Sequence, residues 1–167
     1  MDEMAWLSDE LGRSAAGYDW AVRQVPMDRL ALTPPSGLGE WSTLRHLFHL
    51  VWYEREIALP NMRLWLGGPP FNGEGLDEEA AWVADRASIE LEPWLHLFVI
   101  GRDEQRALLA RIGPAAWTTR RIIDWGGVPI PVPLRWIVAK TYQHTAEHTN
   151  DVLRIALFWD LLARESG

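Results

Sequence analysis

Cysteine is absent from the 167 residues of the chain. This absence excludes disulfide bonds, thiolate metal sites and a cysteine nucleophile. Long apolar runs are missing too, since no segment approaches the roughly 20 residues that a membrane-spanning helix needs. The N-terminus, with Asp2 and Glu3, lacks the basic start of a signal peptide. We therefore expect a cytoplasmic protein whose metal ligands, if it has any, are histidine and carboxylate.

Basic residues are too few and too dispersed for nucleic-acid binding. The chain has 16 Lys and Arg against 23 Asp and Glu, which gives a formal net charge of -7 at pH 7. Proteins that bind nucleic acid draw much of their affinity from clustered Lys and Arg, and the sequence contains no dense basic run. We predict neither a nucleic-acid partner nor a membrane partner.

The composition is typical of one folded globular domain. Hydrophobic residues make up 48% of the chain and charged residues 23%, far from the composition of disordered proteins. The length suits one core of ordinary size but not two, so we predict a single domain over residues 1–167. The 11 tryptophans are expected mainly in the core and in cavity walls, because large aromatic side chains contribute much of the buried area wherever they occur.

Helical periodicity dominates the chain. Apolar residues recur at spacings of three and four between Gly and Pro punctuation, which is the pattern of helices with one buried face. Pro60 is a candidate kink within the second of them. The long helices are expected at about residues 2–25, 41–66, 88–112 and 133–164, with a short helix at 77–86.

A hairpin-like connection is predicted at residues 120–132, directly before the last helix. β-branched residues surround Gly126-Gly127, and Pro129 and Pro131 stand at alternate positions. Because proline cannot donate a ladder hydrogen bond, these prolines exclude a central strand. We therefore predict an all-α fold, a four-helix bundle, in which this connection is irregular.

The last predicted helix carries the strongest chemical signal. Its inward stripe keeps helical phase through His144 and His148, which lie four residues apart and therefore on one face. Asp151 lies on nearly the same face and Glu147 at its edge. Burying these groups without partners would cost on the order of several kcal/mol. This pattern favours a metal site over the alternative of neutral, hydrogen-bonded core histidines.

A third ligand is needed, because zinc-type ions take three or four protein ligands. The second predicted helix offers His46 and His49, and His49 lies in its most apolar run. Spacing does not choose between them, and His46 can be either a ligand or a partner that orients one. His96 on the third helix is a weaker candidate for the third ligand, because it has no companion, and we expect it to be a hydrogen-bonded core histidine.

These motifs resemble those of the DinB-like superfamily of bacterial four-helix-bundle proteins. The family pattern has a Trp-Ser entry to the second helix, a histidine seven residues after the Ser, and a histidine pair four apart on the last helix. Trp41, Ser42, His49, His144 and His148 match it in order and spacing over nearly the whole chain. The resemblance selects the later histidine of the second helix. It implies one divalent metal, zinc, nickel or iron, held by three histidines that face an open pocket.

The resemblance also implies a class of reaction. Members with assigned activities are similar to thiol transferases, which join bacillithiol or mycothiol to electrophiles, and to thiol-dependent maleylpyruvate isomerases. We therefore expect a metal-dependent thiol S-transferase or hydrolase that acts on a small molecule, with a low-molecular-weight thiol as a candidate partner. Glu147 and Asp151 are the expected catalytic carboxylates, as proton acceptors or as partners of an imidazole N–H. Glu54, about one turn after His49, is a third candidate.

Two other classes of function stay open. The segment from His144 to His148 also fits the H-x-x-E-H motif of inverted zinc peptidases, in which Glu147 would be the general base. A bundle of this length offers little room for a peptide groove. The stronger alternative is a non-catalytic, stress-related protein that binds metal or a small apolar molecule in a Trp-lined cavity. A homodimer stays open beside the monomer.

Overall fold

The computed structural model describes residues 2–165, and most of them are helical. Helix α1 begins after Asp2, whose carboxylate accepts the N–H of Met4 at 3.0 Å. The helices are α1 (Glu3–Val22), α2 (Thr43–Tyr53), α3 (Leu59–Arg63), α4 (Glu78–Asp85), α5 (Leu91–Ile112) and α6 (Leu134–Glu165). Short 3₁₀ turns lie at Met27–Arg29, Leu64–Leu66 and Pro114–Ala116, and strands β1 (Arg120–Trp125) and β2 (Val128–Pro133) precede α6.

The predicted helices are confirmed, but the description all-α is too narrow. Strands β1 and β2 form an antiparallel sheet in continuous register, from Arg120 opposite Pro133 to Trp125 opposite Val128. The connection is therefore a regular hairpin, not the irregular one that we expected. Its two-residue turn has φ of 62° at Gly126 and 83° at Gly127, values that glycine adopts without strain.

The alternating prolines of β2 explain why the ladder stays regular. A two-residue turn makes Trp125 and Val128 a hydrogen-bonded pair, and such pairs alternate with non-hydrogen-bonded ones along an antiparallel ladder. Pro129, Pro131 and Pro133 therefore occupy the positions whose N–H would point away from β1. At these positions proline costs no ladder hydrogen bond.

Residues 43–66 form one continuous helical segment through α2 and α3. A π-helical turn at Glu54–Ala58 joins the two helices, and the Leu59 N–H donates to the Glu54 carbonyl five residues back. Pro60 follows directly and lies within α3 without ending it. Because proline has no N–H and its ring collides with the carbonyl four residues back in a regular helix, the wide turn accommodates it.

The long helices pack pairwise, with α1 against α5 and α6, and α2 against α5 and α6. Their apolar side chains form two separate clusters. One contains Tyr18, Phe48 and Val152, and the other contains Leu11, Leu109 and Val138. No helix among residues 2–165 has both the length and the apolar character that crossing a bilayer requires.

A buried polar layer lies between the two apolar clusters. It contains Glu54 from the π-helical turn, Arg102 from α5, and Thr141 and Thr145 from α6, all of them buried. Arg102 Nη2 lies 2.9 Å from Glu54 Oε1, and each side chain is 1% exposed. The same guanidinium donates to the Thr145 hydroxyl. The layer thus links α2, α5 and α6 at one level.

Gly101 permits the close approach that this ion pair needs. A Cβ atom at Gly101 would lie 3.2 Å from the Cβ of Glu54, which is tighter than ordinary van der Waals contact. Glycine therefore lets α5 approach the π-helical turn, so that the next residue, Arg102, reaches the carboxylate. Burial raises the pKa of Glu54 and the guanidinium of Arg102 opposes that shift.

Removal of one partner from this pair should destabilise the protein far more than replacement of both. Arg102→Met leaves Glu54 buried without its counter-charge, so we expect a loss of about 3–5 kcal/mol in the free energy of unfolding. The double variant Glu54→Leu with Arg102→Met should recover much of that loss. Urea denaturation followed by circular dichroism measures both.

The exposed pair of Arg63 and Glu104, at 2.6 Å with side chains 50% and 43% exposed, is the matched control. Breaking it with Arg63→Ala should cost less than about 1 kcal/mol. Additive losses in the buried double variant would contradict the proposed dependence of Glu54 on Arg102.

Candidate metal centre

The histidines are positioned by the start of α2 and the middle of α6. Ser42 caps α2, and its hydroxyl accepts the N–H of Arg45 at 3.2 Å. The cap fixes where α2 begins, so His49 falls in its second turn. Helix α6 runs without a break, which keeps His144 and His148 one turn apart on the same face.

The three predicted ligands lie together between these helices. His49 Nε2 is 2.9 Å from His144 Nε2, and His148 Nε2 is 3.2 Å from the same atom. All three side chains are partly buried, and together they can hold a metal ion. Separations of about 3 Å suit nitrogens that share one ion, since metal–nitrogen bonds are about 2.0–2.1 Å long.

Hydrogen bonds between the rings do not satisfy this arrangement. An imidazole nitrogen offers in its ring plane either one N–H or one lone pair, yet His144 Nε2 faces two other ring nitrogens. At most one of these contacts can be a well-formed hydrogen bond, whereas a cation uses all three lone pairs. Among residues 2–165, no hydrogen-bond partner contacts the buried His144 Nδ1. The donor set therefore fits a metal ion better than it fits three core histidines.

Two side chains contact the outer nitrogens of the ligands. Both carboxylate oxygens of Glu78 lie 2.9 Å from His49 Nδ1, and His46 Nδ1 lies 2.8 Å from His148 Nδ1. A carboxylate that accepts the Nδ1–H of a histidine leaves its Nε2 lone pair free for a metal. His46 thus contacts a candidate ligand, which agrees with one of the two roles left open by the spacing. Glu78 was missed, because it comes from α4 and no sequence pattern connects it with His49.

Aromatic rings enclose the imidazoles. Trp41 lies parallel to His148, with an interplanar angle of 1° and 5.9 Å between centroids, and edge-on to His49 at 5.0 Å. The ring centroid of Tyr53 lies 4.3 Å from that of His144. The Trp-Ser motif therefore performs two tasks, because Ser42 starts the helix and Trp41 covers the histidines that the helix presents.

Burial favours the neutral form of His46, His144 and His148. Loss of hydration lowers the pKa of His46 to about 4, that of His144 to about 3 and that of His148 to about 2, with further contributions from neighbouring positive charge. A neutral imidazole is the form that binds a metal. At pH 7 the rings of His144 and His148 are therefore already in the form that can bind an ion.

A second group of possible metal ligands shares His148. His46, His148 and Asp151 also place ligand atoms within 4.8 Å of one another. The two Nδ1 atoms in this group lie at hydrogen-bond distance, 2.8 Å, and Asp151 is 3.9 Å from Arg154. Because of these contacts, we interpret His46 and Asp151 as neighbours of the three-histidine site and not as ligands of a second metal. A cavity of about 400 Å³, lined by Trp41, His46, His148 and Asp151, opens beside it.

The other sequence candidates lie elsewhere. Glu147 is exposed on α6 and its carboxylate accepts a hydrogen bond from Gln143, and Glu54 is the buried partner of Arg102. His96 is exposed on α5, so the expectation that it is a core histidine is wrong. The apolar neighbours of His96 in the sequence do not reveal which face of the helix it occupies.

Comparison with known proteins agrees with the geometry. A family model described as the DinB superfamily matches residues 10–152, a range that includes Trp41, Ser42 and the three histidines. No curated protein and no solved structure matches the chain. Because the family model spans most of its length, the chain belongs to the DinB superfamily.

Proposed function

We propose that the chain is a metal-dependent enzyme of the DinB type, a four-helix bundle in which His49, His144 and His148 hold one divalent metal ion. Zinc, nickel and iron suit imidazole ligands. The convergence of the three Nε2 atoms, at 2.9 and 3.2 Å, is the observation that supports this proposal. The favoured reaction is thiol S-transfer or hydrolysis on a small molecule, as the family membership suggests.

Each side chain around the site has a physical task in this proposal. A divalent metal supplies positive charge that lowers the pKa of a thiol or a water molecule at an open position. Trp41 excludes water from one side of the imidazoles. Asp151 lies at the cavity beside His148 and is the better placed of the two predicted catalytic carboxylates to accept a proton. Glu147 stays a weaker candidate, because it is exposed and hydrogen-bonded to Gln143.

A second candidate function is non-catalytic binding of a small apolar molecule. A cavity of about 680 Å³ lies between the end of α2, the segment 71–76 and the hairpin turn, and Trp52, Phe71 and Trp125 line it. Pockets of this volume accept drug-sized ligands. Trp52 is three residues after His49 and therefore on the same side of α2, so the cavity also suits the apolar part of a substrate.

The purified protein should contain about one equivalent of a transition metal. His49→Ala, His144→Ala and His148→Ala should each lower metal content severely, because two imidazoles alone make a weak site. Elemental analysis of protein made without an affinity tag measures the content. His96→Ala is the control, since His96 is exposed, and should retain the metal. Less than roughly one-tenth of an equivalent in the parent, with no uptake on loading, would contradict the site.

Metal stabilisation should depend on pH with a definite sign. The pKa values of His46, His144 and His148 are lowered by folding. Their contribution to stability is therefore present above the unfolded value of about 6.5 and is lost as pH falls below it. Protons also compete with the metal for neutral imidazole. The melting temperatures measured with zinc and with chelator should differ at pH 7.5 and converge toward pH 5.

Glu54 does not disturb this comparison. Its raised pKa acts with the opposite sign, since stability from the protonated carboxyl is lost as pH rises from the unfolded value toward about 7. Glu54 is not among the three proposed ligands, so its effect on the melting temperature is the same with zinc and with chelator. This effect therefore cancels in the difference between the two melting temperatures. Equal melting temperatures with zinc and with chelator at pH 7.5 would mean that the histidines have only a structural role.

The zinc-loaded protein should catalyse the reaction of a low-molecular-weight thiol with an electrophile, and chelation should abolish turnover. Asp151→Asn should lower kcat/KM by about 10²–10⁴-fold if Asp151 accepts the proton, whereas Glu147→Gln should have little effect. The rate of thiol consumption, measured at several pH values with the parent and the two variants, tests these expectations. A protein that binds zinc and a small apolar ligand but turns over no thiol would favour the binding function.

A further inference from the structure

Helix α4 packs on the rest of the fold through Ala81 and Trp82, and the ring centroid of Trp82 lies 5.4 Å from that of Phe48. None of its residues, 78–85, is buried. Its most enclosed anionic side chain is that of Glu78, which is 20% exposed, and both oxygens of this carboxylate lie 2.9 Å from His49 Nδ1. The main polar attachment of α4 is therefore to a ligand of the proposed metal site.

Arg45 strengthens the same attachment. Its Nη2 atom lies 3.1 Å from Glu78 Oε1 and 3.0 Å from Glu79 Oε2. The guanidinium is 4.9 Å from the ring of Trp41 and 5.0 Å from that of Trp82, distances at which a cation is attracted to an aromatic face. Arg45 is therefore in place to hold the Glu78 carboxylate against His49.

We propose that Glu78 is a positioning residue of the metal centre and that, through it, metal binding is coupled to the docking of α4. The inference rests on the proposed metal site. By accepting the Nδ1–H of His49, Glu78 selects the tautomer whose Nε2 carries the lone pair that a metal needs. A metal on Nε2 in turn withdraws electron density from the ring, so the Nδ1–H donates more strongly to the carboxylate.

The coupling must act in both directions. If docking of Glu78 raises metal affinity, then metal binding favours the docked position of α4 by the same factor. Segment 71–76 leads directly into α4 and lines the cavity of about 680 Å³ with Trp52 and Trp125. The proposed coupling therefore extends to one wall of this cavity.

The test compares Glu78→Gln with Glu79→Gln. Both residues lie on α4 and both contact Arg45, but only Glu78 contacts a histidine, so Glu79→Gln controls for loss of charge near Arg45. Zinc affinity is measured by competition with a chromophoric chelator. We expect Glu78→Gln to weaken zinc binding by about 10–100-fold, the range seen for partners of metal ligands, and Glu79→Gln to change it by less than about threefold.

Amide hydrogen exchange of residues 78–85 provides the second measurement. Zinc should slow exchange in the parent and in Glu79→Gln but not in Glu78→Gln. Equal melting temperatures of the two variants in chelator establish that both fold alike. The inference is overturned, while the metal site stands, if the parent binds zinc and Glu78→Gln binds it as tightly. The same holds if zinc binds to the parent but does not change the amide exchange rates of α4. If the parent binds no zinc, the proposed function itself fails and the inference with it.

Discussion

The convergence of three imidazole nitrogens is the constraint on which the rest of this structure depends. His144 Nε2 faces two other ring nitrogens within 3.2 Å, and ring protons cannot satisfy both contacts. The surroundings therefore have to fix the tautomers, and Glu78 and His46 contact the outer nitrogens of two of the rings. Burial favours the neutral form of His144 and His148, as their lowered pKa values indicate.

Polar residues also divide the interior of the helical fold. An uninterrupted apolar core would be more stable, yet a polar layer with Glu54, Arg102, Thr141 and Thr145 separates two apolar clusters at the level of His144. Through Arg102, the ion pair with Glu54 and the hydrogen bond to Thr145 connect the π-helical turn, α5 and α6. Buried ion pairs contribute little net stability, but they tolerate only one alignment of the helices that carry them. In this chain Arg102 contacts both Glu54, five residues after His49, and Thr145, the residue after His144.

Much of the site could be predicted because its residues sit in regular helices. His144 and His148 share a face by their spacing alone, and the resemblance to the family selected His49 rather than His46. The same reasoning did not reveal that Glu147 is exposed, since a residue at the edge of a helical stripe turns inward or outward according to the neighbouring helix. The regular pairing of the hairpin strands was not predicted for a related reason. Proline was counted as a ladder breaker, whereas its effect depends on which strand positions face the partner.

Helical periodicity, punctuation by Gly and Pro, and the absence of cysteine are local properties, so the sequence by itself determined the helices, their order and the choice of histidine rather than thiolate as candidate ligand. The pairing of Glu78 with His49, of His46 with His148, and of Glu54 with Arg102 was decided only by the tertiary structure. These partners are separated by 29 or more residues in the chain. Nothing in the local pattern connects residues so far apart, because the free energy that brings them together comes from packing the whole bundle.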